Sequence, residues 1–441
     1  MAATHVEPIL CNPRYIQGSL PGEVWAHFRS GTVVRAGRDR ARHYPGLEGL
    51  APPTLGLYLH FDQLGIPANH VVDAGCGAGA GLRHLAATYH RVTGVDVNAA
   101  ALRFAKELAP EARLTAADLN TFQADSASQA AYFVDVLGHV TEPVRAILRI
   151  AQGLDGCRVL CIAEPIIKMD QCLAPPARRA FSARTMHSLL ARAGFCAEQW
   201  LECSRDYLLC YAVGRRDRTV DTLQAAEEHL NQSQLHVAEL LARRACQSDV
   251  ASLRYEALLT LARVQYQQSQ RDAVVATLVE ASQLEPTDPR AIASLSLLAY
   301  AAGSDSEAFA LAREAFALDP TDLTSVTTLA TLLHDADPRS ALEHWQTAHA
   351  LAPDHTGVVA QLCDAAVRVG DFAAAVAALE QSRRYDTAAH SISGTLSLAW
   401  LLARVGRSQQ AATIVRRTAL ANPNAPGFKE LCEFLEKQTP H

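Results

Sequence analysis

The sequence predicts two architectures in series: an open α/β sheet, mostly parallel with an antiparallel closing strand, and then an all-α solenoid of helical repeats. Three observations carry this prediction. Val71-Val-Asp-Ala-Gly-Cys-Gly-Ala-Gly79 runs two β-branched residues into an acid, then alternates three glycines ahead of a helix-like segment. Strand-like apolar runs alternate with amphipathic helices to about residue 214, the pattern of an open α/β sheet. Beyond residue 219 no strand pattern recurs, and breaks at Pro286, Pro320 and Pro353 fall 34 and 33 residues apart among alanines and leucines at helical spacing.

The composition is that of a globular chain. Of the 441 residues 49% are apolar and 20% charged, and this length accommodates two or three ordinary domains with ample core. Lys and Arg number 40 against 46 Asp and Glu, a net charge of −6 that gives no general electrostatic basis for nucleic-acid binding. The balance is uneven: residues 1–218 hold 23 basic and 20 acidic side chains, leaving +3 there and −9 in the rest. The 11 cysteines show neither Cys-x-x-Cys nor Cys/His ligand spacing, so they read as small buried hydrophobes in a reducing, cytoplasmic setting, with no metal expected. The N-terminus lacks a charged-then-apolar signal, and no apolar run approaches the roughly 18–20 residues needed to span a bilayer.

Taken in order, residues 1–50 are irregular, interrupted by Pro8, Pro13, Pro21, Pro45 and several glycines. Arg35, Arg38, Arg40 and Arg42, offset only by Asp39, make this arm either a packed segment with a solvated face or a lid whose arginines meet an anionic substrate. A helix over Leu55–Leu64 leads into the strands of a domain spanning 51–216. Expected strands are Val71–Asp73, Arg91–Val95, Ala112–Thr115, Ala131–Val136 and Arg158–Ala163, each apolar and bounded by turns. The intervening helices run to Tyr89, over Ala99–Leu108 and over Pro143–Gln152. A last helix, Ser182 to Ala193, stops at Gly194 and feeds a hairpin of Cys196–Cys203 and Tyr207–Val213. Cys157 and Cys161 would face one another only on a helix, and their segment reads as strand. Over 219–438 a degenerate helical hairpin at 219–251 precedes five clearer units at about 252–423, with breaks near Asp386 and Pro423 and a capping helix at 425–437. Gly303, Gly370 and Gly406 are expected to end first helices. Ala308, Ala315, Ala374 and Ala411 are expected at close helix crossings.

Gly75-Cys-Gly-Ala-Gly-Ala80 also fits the Gly-x-Gly-x-x-Gly/Ala pattern of nicotinamide-binding folds. Asp73, two residues ahead of the first glycine, tips the choice. Asp-x-Gly-x-Gly-x-Gly resembles the first motif of class I S-adenosylmethionine (SAM)-dependent methyltransferases, whose Rossmann-like sheet is closed by an antiparallel strand. The resemblance covers about residues 45–215. It is specific at that motif, at Gly94-Val-Asp-Val-Asn98 and at the closing Phe181-Ser…Ala193-Gly-Phe195 segment. Nothing resembles the Asn-Pro-Pro-Tyr motif of enzymes acting on base or glutamine nitrogens, which leaves small molecules, sugars, lipids or proteins as acceptors. The 34-residue period of the C-terminal half resembles tetratricopeptide (TPR) repeats, in a loose form with many of the usual aromatic positions held by alanine or leucine.

The resemblance implies a cofactor site. Asp73, Gly75, Cys76, Gly77 and Gly79 would face the methionine half, with the missing side chains of Gly77 and Gly79 admitting the ligand. Asp96 would take the ribose hydroxyls, with Val97 against the adenine. Asp118 and Leu119 would meet the adenine amino group, and Asp135 closes the fourth strand. Asp73, Asp96 and Asp118 each have a second reading as a helix or turn cap. Asp135-Val-Leu-Gly-His-Val140 is similar to the loop that touches the transferring methyl in relatives. His139 is the first candidate base, because histidine exchanges a proton near neutral pH, and it reads equally as a packing or capping residue. His27, His43, Tyr15 and Glu164 are further candidates. The acids lack the clustering that magnesium-dependent catechol methyltransferases need.

The expected function is SAM-dependent methyl transfer to an oxygen or nitrogen of a small molecule or glycan, with the repeats giving protein contact or a homo-oligomeric surface. Alternatives are a protein methyltransferase whose repeats recruit its substrate, a repeat scaffold carrying a non-catalytic domain, and a nicotinamide-dependent oxidoreductase.

Overall fold

The computed structural model describes residues 57–58, 61, 65–66, 68–125, 127–165, 179, 181–203, 207–214, 218–385 and 392–421. The arm at 1–50, with its arginines and the candidates Tyr15, His27 and His43, lies outside them, as does the expected capping helix at 425–437.

Among the described residues seven strands form one sheet: β1 His70–Ala74, β2 Arg91–Asp96, β3 Arg113–Ala116, β4 Ser128–Val134, β5 Leu154–Pro165, β6 Phe195–Cys203 and β7 Tyr207–Gly214. Their order is β3-β2-β1-β4-β5-β7-β6. The pairs β1–β2, β1–β4, β2–β3 and β4–β5 are parallel, whereas β7 runs antiparallel to both β5 and β6. The closing hairpin inserts its second strand between β5 and its first. Helices α1 Ala80–Thr88, α2 Ala99–Leu108, α3 Pro143–Gly153 and α4 Ala183–Arg192 complete the α/β domain. Strand residues alternate between two cores, as a two-residue period requires. Val71, Ala130, Tyr132 and Cys161 pack with Leu82 and Leu85 of α1 and Leu102 of α2. Val72, Ala131, Phe133 and Leu160 pack with Ile147 and Ile150 of α3 and Met186 and Leu190 of α4. Both faces are covered, which is why these strands read as continuous apolar runs.

The strands start or end a few residues from the expected bounds, β5 beginning at Leu154 rather than Arg158, and one of these differences shapes the site. The fourth strand was to reach Val136, and it ends at Val134 because Asp135 turns into the left-handed region at φ 54°. The chain leaves the ladder there, and the next three amides find another partner. The strand order also reverses between β1 and β4, the switch point where open α/β sheets bind ligands beyond the carboxyl ends of their strands.

Three further helices, α5 Arg218–Asn231, α6 Leu235–Ala245 and α7 Ala251–Gln267, cluster in one compact unit with the sheet, which extends to Ser269. Val220, Leu223, Leu253 and Ala257 bury against each other with Leu148 of α3 at their edge. Ser188 of α4 donates to Glu256 at 2.8 Å, and Arg192 donates to both oxygens of Glu227 at 2.9 and 2.7 Å.

The second unit takes in residues 167–179 and the chain from Gln270 onward. Its helices are α8 Arg271–Leu284, α9 Pro289–Ala301, α10 Asp305–Leu318, α11 Leu323–Ala336, α12 Pro338–Leu351, α13 Thr356–Val369, α14 Phe372–Ser382, α15 Ile392–Arg404 and α16 Ser408–Ala421. Successive second helices start at Arg271, Asp305, Pro338, Phe372 and Ser408, steps of 33 to 36 residues. This is a TPR-like helical solenoid. Gly303, Gly370 and Gly406 have φ of 79°, 84° and 79° and terminate α9, α13 and α15, as expected for helix-ending glycines. Ala308, Ala315 and Ala411 are fully buried at helix crossings; in α14 that role falls to Ala375, and the expected Ala374 is only partly covered. Among the described residues no helix is long and apolar enough to cross a membrane.

Candidate functional site

The parallel register brings the carboxyl ends of the strands to one edge, because Asp73 pairs with Gly94 and Tyr132, and Val134 with Ala163. Asp73, Asp96, Asp118, Asp135 and Glu164 all stand on that edge or in the turns that leave it.

Asp73 is completely buried at the end of β1. Its Oδ1 accepts a hydrogen bond from the Tyr58 hydroxyl at 2.7 Å, while Oδ2 is buried with no donor among the described residues. Burial is the main reason its carboxyl is pushed up to about 7; the Tyr58 bond opposes the shift and the Asp96 charge adds to it. The glycine turn follows directly. Gly75 and Cys76 both donate to the Val95 carbonyl, at 2.7 and 3.0 Å, which folds the turn over β2. Gly75 has φ 76°, and a Cβ there would come within 2.2 Å of Val136, so the turn interlocks with the loop after β4. Gly77, at φ 52°, faces open space instead, with nothing within 4 Å of an added Cβ. Gly79 behaves otherwise than expected: its missing side chain makes room for Ala105 of α2 at 2.7 Å, a helix-packing role. Cys76 is buried against Gly94, so its thiol packs into the sheet and burial raises its pKa.

Asp96 is tied to this turn. Its Oδ2 accepts from the Gly77 amide at 2.9 Å and its Oδ1 from the Asn98 amide at 2.7 Å. Each oxygen keeps a lone pair for a second donor. Asn98 caps α2 by accepting from Ala100 and Ala101, which fixes the β2–α2 corner. Val97 is 75% exposed beside it. At the end of β3, Asp118 accepts from the Asn120 amide and side chain at 2.8 and 3.0 Å, so one of its oxygens is occupied by a turn. Asn120 Nδ2 also donates to Thr141 at 2.9 Å, linking the loops after β3 and β4. Leu119 is buried in the second core rather than lining an opening.

The loop after β4 is held by Glu164 at the end of β5. This fully buried carboxylate accepts from the amides of Val136 at 2.9 Å, Leu137 at 2.6 Å and Gly138 at 3.2 Å. Burial outweighs these three donors and pushes its carboxyl up to about 7. Glu164, a base candidate from sequence, is thereby a clamp on the loop. That loop presents His139, whose Nε2 lies 3.9 Å from Asp135 Oδ1, both side chains about one-third exposed. Two features of this edge escaped sequence reasoning: the Tyr58 bond to Asp73 and the Glu164 clamp. Only the sequence ending of β5 in an acid, after a wholly apolar run, hinted at the second.

Can these residues hold the expected cofactor? A buried orphan carboxylate oxygen, an open path above Gly77 and a second carboxylate bonded to the glycine turn fit a ligand with a cationic amino end and a ribose. Among the described residues no group of three His, Cys, Asp or Glu is placed to hold a metal.

Residues 71–154 match the family described as "Methyltransferase domain". A search of curated proteins gave no match. Among solved structures, a SAM-dependent methyltransferase from Aquifex aeolicus is 16% identical with a TM-score of 0.32, covering 46% of this chain and 99% of that one. The Burkholderia thailandensis 1,6-didemethyltoxoflavin-N1-methyltransferase is 20% identical with a TM-score of 0.32, covering 46% of this chain and 91% of its own. PilF of Pseudomonas aeruginosa is 16% identical with a TM-score of 0.38, covering 49% of this chain and 96% of its own.

Proposed function

With a methyltransferase domain at residues 71–154 as the premise, we propose that the chain transfers a methyl group from SAM to an oxygen or nitrogen of a small molecule or glycan. The observation that carries this reading is the pair of carboxylates flanking the open glycine turn: Asp73 with a buried oxygen that has no donor among the described residues, and Asp96 bonded to Gly77 at 2.9 Å. The methyltransferase neighbours agree with it in kind. When bound, SAM supplies an electrophilic methyl group on a sulfonium. The chain's own residues then do the rest. Asp73 holds the cationic amino end, and Asp96 accepts the ribose hydroxyls. The open space above Gly77 admits the ligand, and Glu164 keeps the loop after β4 in one conformation. His139, on that loop and 3.9 Å from Asp135, takes the acceptor's proton as the nucleophile attacks in line. The repeats provide protein contact or a homo-oligomeric surface.

The test has two stages. S-adenosylhomocysteine should raise the melting temperature of the full chain where NAD does not, since a ligand at a hundred times its dissociation constant adds about 2.7 kcal/mol. Label from methyl-labelled SAM added to a lysate with the protein should then appear in the small-molecule or glycan fraction. Label in protein would favour a protein acceptor recruited by the repeats. No stabilisation by S-adenosylhomocysteine would sink the enzymatic reading and favour a repeat scaffold. His139→Ala should lower the rate about 10²–10⁴-fold if it is the base, and an unchanged rate removes it.

A further inference from the structure

Tyr58 lies 15 residues upstream of Asp73, in helical backbone before β1, yet its hydroxyl donates to the acid at the end of that strand. Its ring is fixed on several sides. It stacks on Tyr132 of β4 with centroids 5.9 Å apart and planes at 21°, and it occupies the space that a Cβ on Gly81 of α1 would need, at 2.2 Å. Tyr132 is itself held by Phe61 edge-on at 5.9 Å and by a 2.7 Å bond between its hydroxyl and that of Tyr89. The tyrosine is therefore a rigid arm whose only polar atom reaches Asp73 Oδ1. The same bond restrains the carboxylate's rotation and leaves Oδ2 buried and, among the described residues, without a donor. Among the described residues no cation pairs with Asp73, and the ionisable groups around it are Tyr58, Cys76 and Asp96, which are neutral or anionic. A positively charged ligand group is what this arrangement lacks.

We propose that Tyr58 is a positioning residue that orients Asp73 so that its free oxygen receives the cationic amino group of the cofactor's methionyl half. This rests on the SAM reading above and adds to it a residue from outside the glycine motif. The Tyr58 bond favours the carboxylate form of Asp73, and so does an arriving ammonium. Burial holds the unliganded carboxyl at about 7. Affinity for an amino-bearing ligand therefore rises as pH increases from about 6 to about 8, because the proton on Asp73 must leave for the ammonium to bind.

The experiment compares two ligands on the full chain by titration calorimetry: S-adenosylhomocysteine, which carries the amino acid end, and 5′-methylthioadenosine, which lacks it. In Tyr58→Phe, S-adenosylhomocysteine should bind about tenfold more weakly at neutral pH while methylthioadenosine stays within about twofold of wild type, the loss expected for one hydrogen bond to a charged group. The pH at which S-adenosylhomocysteine affinity is half-developed should also move upward. Asp73→Asn serves as a second variant and should erase the preference for the amino-bearing ligand. Equal weakening of both ligands in Tyr58→Phe would mean that the tyrosine only shapes the fold, and unchanged affinity for both would mean that it does nothing here. Either result overturns the proposal while leaving the SAM reading intact. Failure of the wild type to bind S-adenosylhomocysteine at all would overturn both.

Discussion

The sheet unit and the repeat unit both bury aspartates, and they use them differently. In the repeats, Asp322 accepts from the amide and hydroxyl of Ser325 at 2.8 and 2.9 Å, and Asp288 accepts from the amide and guanidinium of Arg290 at 3.0 and 2.9 Å. These acids cap helices α9 and α11, and their donors lie two or three residues away. In the sheet unit, Glu164 reaches amides 26 to 28 residues distant, and Asp73 keeps a buried oxygen with no donor among the described residues. A buried acid with local donors is a structural cap. One that must import its partner points to a ligand, because an unsatisfied buried polar atom costs about 1–3 kcal/mol.

Four substitutions sharpen this contrast, and pH adds a fifth test. Glu164→Ala leaves three buried amides without an acceptor and should cost about 3 kcal/mol in the sheet unit. Hydrogen exchange should then speed up at residues 136–138 while the helices of the second unit stay protected. Faster exchange across both units would break the distinction. Gly77→Val combines a backbone that side chains rarely adopt with a side chain in the open path. S-adenosylhomocysteine affinity should fall about 100-fold or more, with the far-ultraviolet helical signal unchanged. Asp96→Ala removes the acceptor for Gly77 as well as for the ribose, and should weaken the same ligand by about one to two decades. Unaltered binding would mean the ribose lies elsewhere.

In the other unit, Ala312→Leu overfills a crossing where the alanine is wholly buried. The expected outcome is about 1–3 kcal/mol of destabilisation, read by thermal melting, with no change in S-adenosylhomocysteine affinity. Loss of affinity would show that the units are energetically coupled. The mildest test is pH. Asp73 and Glu164 have folded pKa values raised to about 7, so the folded state keeps protons that the unfolded chain has released. Their contribution is fully present below about pH 4 and declines as pH rises towards about 7. The melting temperature of the sheet unit should follow that slope, and Asp73→Asn should flatten it.

Much of the fold was legible because its signals are local. Helix α2 falls at the expected Ala99–Leu108, and the strand-turn-helix around Gly75 follows from β-branched residues running into glycines. The repeat period is visible because each hairpin repeats its own breaks. The acids at the sheet's carboxyl edge were legible for the same reason, each standing at or just past the end of a strand pattern. Strand four was misjudged at its end because Val136 looks apolar enough to continue, and only a distant carboxylate explains why it does not.

What the sequence alone determined, then, is the series of elements, the glycine turn with Asp73 and Asp96 beside it, and the periodic helices after it. Those depend on side-chain spacing within a few residues. Only the tertiary structure decided that Tyr58 grips Asp73, that Glu164 clamps the loop bearing His139, that Gly79 makes room for Ala105, and that helices α5 to α7 cluster with the sheet. Each of these joins groups that the chain keeps apart, and no periodicity records which buried acid will meet which distant donor.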